Sequence, residues 1–153
     1  MSKNRVLVAD TYLPGHPCID ALTISSKEMK LLPKWMRWIL LASTLYNAFG
    51  VLVFIPLLSI GRRLMGVPDA PGFYLWLATI WIGSFGVLYC WLGLTGRSDR
   101  AFFIIAATGK FAFWSLTFVY WWSGDFSVTA PLVALGDLIG AVAFTWWLAN
   151  ADD

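Results

Sequence analysis

Four long apolar windows separated by short polar connections leave few folds open to this chain. The windows run Trp38–Ile60, Phe73–Leu94, Ala101–Trp122 and Val128–Ala149. Each is long enough to cross a hydrocarbon core, which takes about 20 apolar residues as a helix. Lipid offers the backbone no hydrogen-bonding partner, so windows of this length satisfy their own N–H and C=O groups as helices. Charged residues make up 13% of the 153, roughly half the usual share in a soluble domain. The expected fold is an all-α membrane protein. Residues 38–150 form a four-helix antiparallel transmembrane bundle, and residues 1–37 form a short cytoplasmic and interfacial segment ahead of it.

Charge placement predicts the orientation, because basic flanks are retained in the cytoplasm. Lys3, Arg5, Lys27, Lys30, Lys34, Arg37, Arg97 and Arg100 lie on one side of the predicted spans, against Arg62 and Arg63 on the other. Both termini are therefore expected in the cytoplasm. The first 34 residues lack the apolar core of a cleaved signal peptide, so the first span is expected to serve as an uncleaved one. Eight of the ten tryptophans fall near span ends: Trp35, Trp38, Trp91, Trp146 and Trp147 at one level, Trp76, Trp121 and Trp122 at the other. Indole settles at the headgroup level, so these read as an anchoring belt.

Ahead of the spans, Ser25-Ser26-Lys27-Glu28 has capping-box spacing and Met29, Leu31 and Leu32 follow it. That pattern predicts a short interfacial helix ending before Pro33. His16 and Cys18 lie in a turn-rich stretch, and two ligand types without further neighbours do not make a metal site. The other cysteine, Cys90, is inside the second window and reads as a packing residue. No CxxC pair occurs, so neither redox chemistry nor a thiolate cluster is expected. A net charge of +2 without clustering does not suggest nucleic acid.

Within the spans, Lys110 and Asp137 stand out. A charge at mid-bilayer costs several kcal/mol, so both must face protein or trapped water. They are opposite in sign, on consecutive antiparallel windows and at similar depth, which makes each the natural partner of the other. Asn47 falls within about 5 Å of the same level, counted at about 1.5 Å per helical residue. The expected polar cluster is Asn47, Lys110 and Asp137, with Ser43, Thr44 and Ser84 as further members and Trp114 stacking on the lysine stem or on a ligand. Small residues mark close helix approaches. Gly83, Gly86 and Gly93 make one seam in the second window, and Gly136-x-x-x-Gly140 brackets Asp137 in the fourth.

The windows contain no histidine for haem ligation, no glutamate and no cysteine pair. No nucleophile–base or paired-carboxylate arrangement supports hydrolysis or isomerisation. Catalysis by Lys110 would need a neutral amine, which a neighbouring Asp137 opposes. The chain is therefore expected to be no enzyme and to need no cofactor or metal. The order Asn47…Gly50, Gly109-Lys110 and Gly136-Asp137 resembles that in a loose group of short bacterial four-helix membrane proteins without an assigned activity. The resemblance implies a bacterial inner-membrane setting and no particular chemistry. Two readings follow. One is a non-catalytic accessory subunit or binding protein that meets the bilayer and other membrane proteins or copies of itself. The alternative is a small oligomeric transporter or channel coupled to protons or ions through the Lys110–Asp137 pair.

Overall fold

In the computed structural model, residues 31–151 are described, and they are helical without a strand. Six helices follow in order: α1 (Lys34–Phe54), α2 (Ile60–Met65), α3 (Gly72–Thr95), α4 (Arg100–Trp122), α5 (Thr129–Val133) and α6 (Leu135–Asn150). Four segments are long and apolar enough to cross a membrane: α1, α3, α4, and α5 with α6 taken together as Thr129–Asn150. Large apolar side chains such as Leu45, Ile80, Val119 and Ile139 point outward on these segments. Lipid accommodates such a surface and water does not. The end bearing Lys34, Thr95, Arg100 and Asn150 is called the near end below, and the opposite end the far end.

The first span is shifted from the window Trp38–Ile60. Pro33, at φ −61° and ψ 151°, sits at the N-cap, and α1 begins directly after it. At the other end Pro56 disfavours helical backbone in the residue before it, and Ile55 leaves the helix at ψ 128°. Pro56 therefore ends the helix. The carbonyls released there are taken up by a side chain. Arg62 Nη1 donates to Ile55 O at 3.0 Å and to Leu58 O at 2.9 Å, from a position only 5% exposed.

The fourth span also differs from a single continuous helix. It breaks at Ala134, between α5 and α6. Pro131 has no N–H to give the ladder, and the Asp137 N–H donates to Ala134 O at 2.9 Å. The tightened turn leaves the Val133 carbonyl for a side chain. It lies one turn before Asp137.

Helix α1 packs chiefly on α3 and α4 chiefly on α6, with α1 against α6 joining the two pairs. The first seam depends on missing side chains. A Cβ on Gly86 would stand 3.2 Å from Asn47 Cβ, and one on Gly93 3.1 Å from the Leu41 side chain. Met36, Leu40, Tyr89, Phe103 and Phe144 are wholly buried in one cluster. It fills the near half of the bundle, and Trp147 packs into it with its ring 4.4 Å from that of Phe103. Trp147 is thus part of the core face, whereas Trp38, Trp122 and Trp146 are exposed.

Both ends are tied. At the near end Arg37 donates to Gly93 O and Leu94 O, each at 2.8 Å, placing a cation on the C-terminus of α3 where the helix dipole favours it. Asp99 caps α4 by accepting from the Phe102 N–H at 3.1 Å. At the far end Ser127 Oγ donates to Met65 O (2.7 Å) and Thr129 Oγ1 to Leu64 O (2.9 Å). Those two bonds hold α2 over the entry to α5. The capping box at Ser25–Glu28, His16 and Cys18 lie outside the described residues, and Leu31 and Leu32 are not helical.

Candidate functional site

The two hairpin pairs meet along α1 and α6 and separate between α3 and α4, leaving a cavity of about 430 Å³. Its walls are almost wholly apolar. Met65, Val67 and Phe126 roof it at the far end, and Phe113, Leu116 and Tyr120 line it from α4. Toward the near end Phe85, Tyr89 and Phe102 close the seam between α3 and α4, with ring centroids 5.6 to 6.0 Å apart. The cavity is therefore blind on the near side and ends at mid-span. Its polar groups are concentrated at that blind end.

Lys110 Nζ lies 2.7 Å from Asp137 Oδ1, with the two residues 6% and 8% exposed. The sequence-based pairing of these two charges is what the structure shows. Asp137 stands in the first turn of α6, where the helix dipole favours a carboxylate. The lysine stem lies across α6 at Gly140. A Cβ there would stand 3.0 Å from Lys110 Cδ. Above the ammonium group the ring centroids of Tyr46 and Tyr89 are 5.4 and 5.3 Å from Nζ, within range of cation–π attraction.

Tyr46 completes the arrangement. Its hydroxyl is 2.9 Å from Val133 O and 3.2 Å from Asp137 Oδ2. The break at Ala134 supplies the first of these acceptors. Gly136 makes the approach possible, because a Cβ there would come within 2.6 Å of the Tyr46 ring. The Gly136-x-x-x-Gly140 pair thus seats two side chains, the tyrosine ring and the lysine stem, rather than a helix backbone.

The remaining sequence candidates are placed elsewhere. Asn47 lines the cavity, but its Nδ2 donates to Ile82 O on α3 at 3.0 Å and not to the ion pair. Ser43 is buried one turn nearer the near end. Thr44 Oγ1 donates back to Leu40 O at 3.0 Å. Ser84 is exposed on the outside of α3, away from the cluster. Trp114 stacks on Phe118, with centroids 5.5 Å apart, and the rings facing Lys110 are tyrosines instead. Gly83 leaves room for a side chain, since an added Cβ would make an ordinary contact 3.6 Å from Val51.

Tyr46 and Tyr89 were missed by sequence reasoning. Their signal was position. Tyrosine is enriched at membrane interfaces, yet both lie well inside apolar windows, where a hydroxyl needs a partner. Among the described residues no three His, Cys, Asp or Glu side chains converge as a metal site. No protein-family model, curated protein or solved structure matches the chain, so its functional reading rests on this geometry alone.

Proposed function

We propose that this is a non-catalytic integral-membrane binding protein whose ligand is drawn from the bilayer into the cavity between α3 and α4. The observation that supports it is the cavity's form: an apolar chamber, open at a helix seam, with a few hydrogen-bonding groups at its blind end. Ligand sites of about 300–1,000 Å³ with mostly apolar walls and a small number of placed polar groups have this character. Access is lateral. Trp81, Leu116 and Tyr120 line the cavity and are also exposed on the outer surface between α3 and α4. A partner helix laid along that seam would be stopped at the Phe85–Phe102 contact, whereas a small amphiphile needs only the open half.

The same closure weighs against a through-path for ions. The near half of the bundle is filled by buried aromatic and aliphatic side chains. The Lys110–Asp137 pair is better suited to holding a polar group than to passing one on. Cytoplasmic termini belong to this proposal on the basic-residue tally, and the bacterial inner membrane belongs to it on the resemblance carried by Asn47…Gly50, Gly109-Lys110 and Gly136-Asp137. The dissenting Arg62 is engaged by its own loop carbonyls, which gives it a local role at the far end.

The test is occupancy. Gly109 lines the cavity, and a Cβ on it would meet nothing within 4 Å, so Gly109→Phe adds a ring at the cavity wall from a position where the backbone has room for a side chain. Protein purified from native membrane in mild detergent is extracted and its apolar contents are quantified by mass spectrometry. A near-stoichiometric molecule held by the parent and depleted in Gly109→Phe is expected. Equal content in both proteins would overturn the proposal. Stoichiometric membrane proteins in the same preparation would point to an accessory-subunit role instead.

A further inference from the structure

The donors and acceptors at the blind end are unevenly used, and the imbalance bears on what the ligand carries. Asp137 is engaged at both oxygens, by Lys110 at Oδ1 and by Tyr46 at Oδ2. The single Tyr46 proton is committed to Asp137 or to Val133 O. Lys110 has three N–H donors, of which Asp137 takes one. Among the described residues the others have only the Tyr46 and Tyr89 ring faces near them. The Tyr89 hydroxyl donates no hydrogen bond among the described residues, although the residue is 2% exposed and lines the cavity. The unfilled capacity beside the ion pair is mainly donor capacity.

Charge narrows the choice further. Lys110 and Asp137 already sum to zero, and Asp137 stands against the ammonium group. A ligand anion would leave a net negative charge in an apolar chamber and would face the Asp137 carboxylate at short range. A ligand cation would meet the ammonium donors. A neutral acceptor meets neither cost and gains a charge-assisted hydrogen bond.

Resting on the binding role above, we infer that the ligand is a neutral amphiphile with a carbonyl oxygen at its polar end, accepting a hydrogen bond from Lys110 Nζ, and a single acyl or isoprenoid chain lying along the apolar walls toward α2. The carbonyl reaches the pair because the chain enters through the open half of the α3–α4 seam. Tyr89 stands beside it as a second donor.

The experiment uses alkyl probes of one chain length, each with a photoactivatable diazirine in the chain, added to membrane vesicles containing the full-length protein. The heads are a methyl ketone, a carboxylate, a primary amine and plain hydrocarbon. After irradiation, adducts are mapped by mass spectrometry of peptides. The ketone is expected to label the cavity faces of α3 and α4 about tenfold more than the hydrocarbon, the ratio of one charge-assisted hydrogen bond. In the Lys110→Met/Asp137→Leu protein, chain labelling should persist while the ketone's advantage is lost. Preference for the carboxylate or the amine, or equal labelling by all four probes, would overturn the ligand class and leave the binding role standing. Absence of cavity labelling by every probe would overturn both.

Discussion

Removing one charge of the Lys110–Asp137 pair should be far more damaging than removing both. At 2.7 Å the attraction is roughly 6 kcal/mol for an effective dielectric constant of about 20. Desolvation of two ions offsets much of it, at several kcal/mol each. The pair therefore adds little net stability over a good apolar substitute, but either member alone is a buried, uncompensated ion. Asp137→Leu and Lys110→Met should each cost about 3–5 kcal/mol, whereas the double change should lie within about 1 kcal/mol of the parent or above it. Reversible unfolding by sodium dodecyl sulfate in mixed micelles, followed by circular dichroism, gives the three free energies. The cycle should show a coupling of about 3 kcal/mol or more. Single changes that each cost under about 1 kcal/mol, or a double change equal to their sum, would refute the claim that these charges are desolvated and mutually satisfied.

Gly136→Ala should destabilise by about 1–3 kcal/mol, since its methyl group would lie 2.6 Å from the Tyr46 ring. Gly109→Ala, with open space around its Cβ, should not destabilise in the same unfolding assay, and equal losses would refute the packing argument. Tyr46→Phe keeps the ring and removes the hydroxyl from Val133 O and Asp137 Oδ2. It should cost about 1–2 kcal/mol, and an unchanged unfolding midpoint would mean that the hydroxyl is not committed there. Arg62→Met releases the Ile55 and Leu58 carbonyls. Faster hydrogen exchange confined to residues 55–67 is expected, together with a loss of about 1.5–3 kcal/mol. Unaltered exchange would remove Arg62 from its capping role.

Much of this molecule is legible in its sequence. Window length and the absence of backbone partners in lipid dictate four helices. Two opposite charges at one depth had to find each other, and they did. Asn47 was assigned to the same cluster by depth, and depth does not specify direction. Successive helical residues point about 100° apart. Tyr46 consequently turns to α6 while Asn47 turns to α3, where Gly86 leaves room for it. The break at Ala134 was hidden for a related reason. Pro131 near a helix start is ordinarily harmless, and only the Tyr46 hydroxyl shows where the freed Val133 carbonyl goes.

The sequence by itself determined the class of fold, the number of crossings and the identity of the central ion pair. These follow from the free energy of placing polar groups in lipid, which depends on residue type and depth. Tertiary structure alone decided that the paired hairpins part between α3 and α4, that two tyrosines cover the lysine, and that the chamber is blind on the near side. Those features depend on the rotation of each helix about its axis. Lipid exerts almost no preference among apolar faces, so the rotation is set by the packing of particular side chains against particular glycines.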